Sequence, residues 1–282
     1  MRFSIEVFPP RSADGLGALW DTVVQLSALD PLFVSVTYGA GGSDRHRSFD
    51  AIRTVSTTGA VVAGHVTCVG QSVEDVDSVV ERYSTLGVAR VVALRGDPPD
   101  GTGAAYAAHP EGYRRTADLV AAVKGRGGFD IAVSAYPERH PQSPSVEHDL
   151  DVLAEKVTAG ADRAITQMFF DNELFLRHRD RIAARGLDIP LVPGVFPIHS
   201  FPAVARFAER CGATIPVTVA ERFAGLDDDR EGTHAVAADL AAQQIAELAD
   251  HGVEHAHLYT LNRAELALAV GERLGVVEPV RT

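Results

Sequence analysis

The chain has 282 residues, 46% of them hydrophobic, and a formal net charge of −12 from 26 basic and 38 acidic side chains. This length suits one large domain with a full core, since αβ barrels run to roughly 250 residues as a single unit. The acidic balance argues against nucleic acid or an anionic membrane as the main partner, because both favour basic surfaces; anionic small ligands stay open, because a local site can oppose the global field. Cys68 and Cys211 lie far apart beside apolar sequence, which reads as reduced, buried thiols of a cytosolic protein rather than a disulfide, and no zinc pattern of cysteines occurs. The N-terminus enters a strand at once, so no signal peptide is read, and no apolar run nears the roughly 20 residues needed to cross a bilayer.

The chain opens on Phe-Ser-Ile-Glu-Val-Phe-Pro-Pro at residues 3–10. As a strand, its alternation puts Phe3, Ile5 and Val7 on one side and Ser4, Glu6 and Phe8 on the other. Pro9 and Pro10 donate no backbone hydrogen bond and stop the ladder. Glu6 is then either paired with a buried Lys or Arg, or faces a water-filled rim, or is a catalytic acid, for which burial in an apolar pocket raises the pKa toward neutrality. After Phe3–Phe8 a helical pattern covers Leu16–Leu29. The rhythm of strand, loop and helix repeats with strands at Leu32–Tyr38, Val61–Thr67, Arg90–Leu94, Asp130–Tyr136, Arg163–Phe169, Ile189–Val195 and Glu254–Leu261. The helices between them cover Arg45–Ser56, Val73–Leu86, Gly112–Lys124, Val146–Ala159, Glu173–Ala184 and Pro202–Cys211. An extra segment, Pro216–Phe223, and a long helix near Gly232–His251 precede the last strand, and Ala264–Leu274 follows it. Gly87, Gly160, Gly186 and Gly252 fall just after helices, where a left-handed cap is wanted. Eight βα units with near-continuous apolar strands predict a closed parallel (βα)8 TIM barrel in a single domain over residues 1–282. A doubly wound sheet is the alternative, but Pro-Pro stands where a Gly-x-Gly-x-x-Gly would follow the first strand.

In such barrels the chemistry sits at the carboxyl ends of the strands, and polar residues collect there: Glu6; Thr37 and Tyr38 before Gly39-Ala40-Gly41-Gly42; His65 and Thr67; Arg95-Gly96-Asp97; Tyr136 with Glu138 and His140; Gln167; and Tyr259 with Asn262 and Arg263. Each has an ordinary structural alternative. His65 fits a core histidine, Gly39–Gly42 a plain turn, Arg95 with Asp97 an ion pair, Tyr136 a sheet anchor, Phe207 a core position and Lys156 an exposed helix position. Seven strands agreeing on one rim point to a large polar cleft of cofactor size without naming a reaction.

The motifs also carry a family resemblance. Ile-Glu-Val-Phe-Pro-Pro at 5–10, Phe-Val-Ser-Val-Thr-Tyr-Gly-Ala at 33–40, His-Val-Thr-Cys at 65–68, Ala-Leu-Arg-Gly-Asp at 93–97 and Ala-Tyr-Pro-Glu at 135–138 belong to it. So do Gly-Ala-Asp-Arg-Ala-Ile-Thr-Gln at 160–167, Phe-Ala-Gly-Leu-Asp-Asp-Asp at 223–229 and Tyr-Thr-Leu-Asn-Arg-Ala-Glu at 259–265. Over nearly its full length the chain resembles bacterial methylenetetrahydrofolate reductase, the catalytic barrel without a regulatory domain. The resemblance implies FAD as cofactor, NADH or NADPH as reductant, and methylenetetrahydrofolate as the second substrate in a ping-pong reduction that feeds methionine synthesis. It implies a homo-oligomer, dimer or tetramer, and a cytoplasmic enzyme. By the same match Glu6 is the general acid, and Asp97 stabilises a cationic folate intermediate. Thr37, Tyr38, Ala40, His65, Arg95, Gly96, Asp97, Tyr136, His140, Asp149 and Lys156 fall on flavin-contacting positions. Gln167 falls on the pterin-side amide, Phe207 on an aromatic that stacks on folate or nicotinamide, and Arg263 near the folate tail or the strand-eight rim. Relatives carry an asparagine and an arginine where this chain has Val152 and Glu155, and a glutamine where it has Ala203, which implies weakened flavin retention. Two alternatives follow: a flavin-independent reductase passing hydride directly from NADH to the folate, and a non-catalytic folate- or flavin-binding barrel. Two carboxylates, Glu6 and Asp97, on one rim speak against the binding-only barrel.

Overall fold

The computed structural model describes residues 1–38, 45–97 and 106–278. Among these residues the strands are β1 (Arg2–Val7), β2 (Val34–Val36), β3 (Val62–Thr67), β4 (Arg90–Leu94), β5 (Asp130–Ala135), β6 (Arg163–Thr166), β7 (Leu191–Val192), β8 (Gly194–Val195) and β9 (His255–Tyr259). The helices are α1 (Gly15–Leu26), α2 (Arg45–Ser56), α3 (Val73–Thr85), α4 (Thr116–Arg126), α5 (Val146–Thr158), α6 (Asn172–Ala184), α7 (Phe201–Cys211), α8 (Val217–Glu221), α9 (Arg230–Asp250) and α10 (Ala264–Arg273). All strand pairs are parallel, in the order β7-β6-β5-β4-β3-β2-β1-β9-β8. The two ends of that order, β7 and β8, are separated by Pro193 alone, so the sheet returns on itself as the expected (βα)8 TIM barrel in one domain.

The predicted strand Ile189–Val195 is thus two short pieces. Pro193 has no N–H and cannot continue a ladder, and the halves turn to opposite neighbours, β7 to β6 and β8 to β9. The Pro193 carbonyl still accepts from His257 N at 2.9 Å. The predicted Leu32–Tyr38 strand shortens to three residues, yet its hydrogen bonds to β1 run further: Leu32 N donates to Phe3 O at 2.7 Å and Thr37 N to Val7 O at 3.0 Å. The helix expected from Gly112 begins only at Thr116, because Glu111 and Gly112 are docked against the β3–α3 loop, where Val73 N donates to Glu111 O at 2.9 Å. Gly87 and Gly252, expected to close helices, take φ of 73° and 82°.

Strand alternation sorts the residues as the period of two demands. Phe3, Ile5 and Val7 are buried in the layer between sheet and helices, while Ser4 and Glu6 point into the barrel. A belt of Phe33, Ala63, Val92, Ala132, Ile165 and Val192 fills the barrel interior. Beyond it, toward the amino ends of the strands, Asp130 holds Arg163 (Nε to Oδ1, 3.0 Å) and Arg90 (3.2 Å), and Arg90 lies 5.2 Å over the Phe33 ring. That plug leaves the carboxyl end as the open end. The helix that matters most there is α5. Ser145 caps it by accepting from His148 N at 3.1 Å, and Asp149, Val152, Leu153 and Lys156 follow at the i, i+3, i+4, i+7 spacing that puts them on one face.

Candidate functional site

A cavity of about 480 Å³ opens at the carboxyl ends of the strands, within the size range of small-molecule sites. Of the candidate residues, Glu6, Thr37, Tyr38, His65, Arg95, Gly96, Asp97, Tyr136, His140, Asp149, Lys156, Gln167 and Phe207 all line it. Ala40 lies outside the described residues. Arg263 does not reach this cavity: it lines a separate, narrow crevice with Pro197 and His199. Among the described residues no cluster of His, Cys, Asp and Glu is placed to hold a metal ion, and no helix is long and apolar enough to cross a membrane.

Glu6 reaches the floor of the cavity between two histidines. Its Oε2 lies 3.4 Å from His65 Nε2 and 3.8 Å from His257 Nε2. His257 is held from behind: its Nδ1 is 2.7 Å from Ser4 Oγ, which is 2.9 Å from His255 Nε2. Burial pushes Glu6 up, but the neighbouring His257 and His65 imidazoles outweigh it, and the carboxyl ends below its ordinary value. The raised pKa expected from an apolar pocket is therefore not what the site has, because the sequence did not reveal the two imidazoles. His65 is itself pushed down by burial, against the pull of Glu6. Its Nε2 is buried with no hydrogen-bond partner among the described residues.

The opposite side of the cavity is cationic. Lys156 is 6% exposed, so it is a buried cavity residue and not an exposed helix position. Its Nζ donates to Ser134 O at 2.8 Å, and burial lowers its pKa to about 8. Arg95 makes no ion pair with Asp97, and among the described residues neither Arg95 nor Lys156 lies within ion-pair distance of a carboxylate. Gly96 between them takes φ of 82°, a turn open to glycine, which lets Arg95 and Asp97 face the same space. Asp149 Oδ2 accepts from His140 N at 2.9 Å, and the Tyr136 and His140 rings meet edge-on at 4.7 Å. On the remaining wall, Gln167 turns its Oε1 to Met168 N at 2.9 Å, leaving its amide N–H groups for a ligand. Phe207 is 37% exposed rather than core and stands 5.8 Å from the buried Phe196 ring. Of the three departures noted in the sequence, Val152 lines the cavity, Glu155 pairs with Arg115 at 3.3 Å away from it, and Ala203 does not line it.

Two further lining residues, His257 and His178, are not among the strand-end positions that the sequence singles out; Tyr259 is. His257 and Tyr259 share the inward face of β9 with His255, an alternation legible in His-Ala-His-Leu-Tyr; what is not legible is the register Ser4↔His257 and Glu6↔Tyr259 that sets them beside the carboxylate. Tyr259 donates to Thr166 O at 2.7 Å, and burial holds its phenol protonated. His178 on α6 is buried, lines the cavity, and has neither ring nitrogen paired among the described residues. No sequence signal distinguishes it from an ordinary helix position.

Comparison with known proteins agrees with this arrangement. The family model described as methylenetetrahydrofolate reductase matches residues 1–275. The 5,10-methylenetetrahydrofolate reductase of Escherichia coli is 42% identical over 274 residues, covering 97% of this chain and 90% of that one. Methylenetetrahydrofolate reductase (NADH) 1 of Arabidopsis thaliana is 32% identical over 98% of this chain, but that match spans 48% of the plant protein. A solved structure of a Clostridium thermocellum protein that binds two copies of 5-methyl-5,6,7,8-tetrahydrofolic acid shares the fold, with a TM-score of 0.63 at 12% identity over 96% of this chain and 95% of that one. With a family model matched over almost the entire length and relatives above 40% identity, this chain belongs to the methylenetetrahydrofolate reductase family.

Proposed function

We propose that this barrel reduces 5,10-methylenetetrahydrofolate to 5-methyltetrahydrofolate, with FAD held in the cavity and NADH or NADPH as reductant in a ping-pong order. The observation that carries the reading is Glu6: one carboxylate at the floor of a cofactor-sized cavity, flanked by two imidazoles. The donor set fits a flavin dinucleotide. Arg95 and Lys156 are two cations without a carboxylate partner among the described residues, which suits a diphosphate. His65 Nε2 is a buried ring nitrogen with no hydrogen-bond partner among the described residues, Glu6 Oε2 standing 3.4 Å away. The flavin, when bound, supplies a two-electron carrier that accepts hydride from the nicotinamide and delivers it to the folate.

The chain's own residues do the rest. Glu6 protonates the nitrogen that leaves the methylene bridge, opening it to an iminium carbon that can accept hydride. His257 and His65 lower the Glu6 pKa; a ligand closing over the carboxylate adds to burial, the one influence here that raises it. Asp97 places negative charge beside the cationic folate. Gln167 offers its amide to the pterin edge, and Phe207 offers a partly open ring face for stacking.

One spectrum tests the cofactor. The purified protein is expected to absorb near about 450 nm, to bleach on anaerobic addition of NADH, and to recover colour on addition of methylenetetrahydrofolate. A colourless, fully active protein would reject the flavin and leave direct transfer from NADH to folate. A second measurement concerns Lys156. Because burial brings it to about 8, it carries its charge below that pH and loses it above. Affinity for ADP, the diphosphate-bearing half of FAD, should therefore fall roughly ten-fold between pH 7 and pH 10, and a Lys156→Met variant should bind weakly with no such pH dependence. Unchanged affinity across that range in the unsubstituted protein would take Lys156 out of the anion site.

A further inference from the structure

The segment from Tyr106 to Tyr113 takes no part in the cavity wall, yet it is fastened down at four points. Ala108 makes an antiparallel bridge to Val69, directly after β3. Glu111 O accepts from Val73 N at 2.9 Å. Gly112 packs so closely on the β3–α3 loop that a Cβ there would lie 2.3 Å from Gln71 O, a contact no other residue type could make without displacing backbone. Tyr113 donates to Asp77 on α3 at 3.3 Å. A surface connection held this firmly holds something in place.

What it holds is the Tyr106 ring. The Arg95 guanidinium carbon sits 4.8 Å from the centroid of that ring, within the range of a cation–π contact. From the other side the Tyr106 hydroxyl meets the buried Cys68 Sγ at 3.6 Å, and Cys68 Sγ in turn lies 3.4 Å from Arg95 O. Val69 N donates to the same Arg95 carbonyl at 2.9 Å. Backbone and side chain of Arg95 are thus both braced by the β3 end and the segment lying on it. The aromatic face attracts the cation without using any N–H, so the guanidinium keeps its donors for the cavity, where no carboxylate within ion-pair distance competes for them among the described residues. A carboxylate in the place of the ring would have bound Arg95 just as firmly and consumed the donors.

We propose that Tyr106 is a positioning residue for anion binding: it stacks under Arg95 and presents the guanidinium fork to a phosphate or diphosphate group in the cavity. This rests on the reading of the cavity as a dinucleotide site, and the test separates the two. The probe is ADP, titrated by calorimetry into the protein after removal of any bound flavin, and into its variants treated the same way. Tyr106→Phe keeps the ring and is expected to bind within two-fold of the unsubstituted protein. Tyr106→Leu removes the π face and is expected to weaken binding about ten-fold. Arg95→Ala is expected to weaken it further, and the double variant Arg95→Ala/Tyr106→Leu to be no weaker than Arg95→Ala alone, because Tyr106 acts only through Arg95. A Tyr106→Leu protein that binds ADP normally while Arg95→Ala does not would overturn the proposal and leave the dinucleotide site standing. An additive loss in the double variant would also overturn it, showing Tyr106 to act on the fold at large. Unchanged binding in Arg95→Ala would instead remove the anion site, and the proposal with it.

Discussion

Replacing Glu6 by Gln is expected to slow methylenetetrahydrofolate reduction by roughly 100-fold or more, with oxidation of NADH by the flavin-loaded protein left near its starting rate. The substitution keeps shape and keeps an oxygen for His257, 3.8 Å away, but the amide has no proton to give to a departing nitrogen. Hydride transfer from nicotinamide needs no such proton, so the two half-reactions should separate in stopped-flow measurements. Because the acid must be protonated to act, the folate step should also slow as pH rises in the unsubstituted enzyme, and that dependence should vanish in Glu6→Gln. The stability effect has its own sign. The folded-state pKa of Glu6 is lowered, by the His257 and His65 imidazoles acting against burial. The carboxylate therefore contributes stability above its unfolded-state pKa, and this is lost as pH falls through the folded value. Glu6→Gln should cost stability at neutral pH and little in acid. Folate turnover retained in Glu6→Gln would remove Glu6 from its role.

The second large effect is on the barrel itself. Gly194→Ala is expected to destabilise the protein by about 3 kcal/mol, lowering the unfolding temperature by roughly 6–12 °C. A methyl group at Gly194 would sit 2.2 Å from Thr166 O and 2.5 Å from Tyr259 Cε2. Neither can move aside: the first is backbone of β6, and the second belongs to a ring tied by its own hydroxyl to that same carbonyl at 2.7 Å. Gly194 N also donates to Thr166 Oγ1 at 2.9 Å, so any shift opens the seam where β7 gives way to β8. Gly17 is the control. It lies inside α1, where a methyl group would meet nothing within 4 Å, and Gly17→Ala should stabilise by about 0.5–1 kcal/mol. Thermal unfolding followed by circular dichroism compares the two; equal midpoints for Gly194→Ala and the unsubstituted protein would show that the seam is not tightly packed.

The residues themselves carried the architecture and most of the site's membership. The period of two in Phe3–Val7 settled which side chains enter the barrel, and Pro9-Pro10 marked where the first strand stops, because both follow from local geometry that distant contacts do not alter. Polar residues at strand ends converged because every strand of a parallel barrel points the same way. What the chain alone left open depended on registers and distances between segments far apart in sequence. Glu6 carries a lowered rather than a raised pKa because Ser4 pairs with His257, more than 250 positions away. Lys156 is buried because the gap beside Ser134 receives it, and Arg263 misses the cavity because the turn at Leu261 and Asn262, with φ of 50° and 56°, carries it to a neighbouring crevice. Periodicity acts over a few residues and can be read along the chain; the electrostatics of a buried group depends on which charges close around it, and only the folded arrangement brings those together.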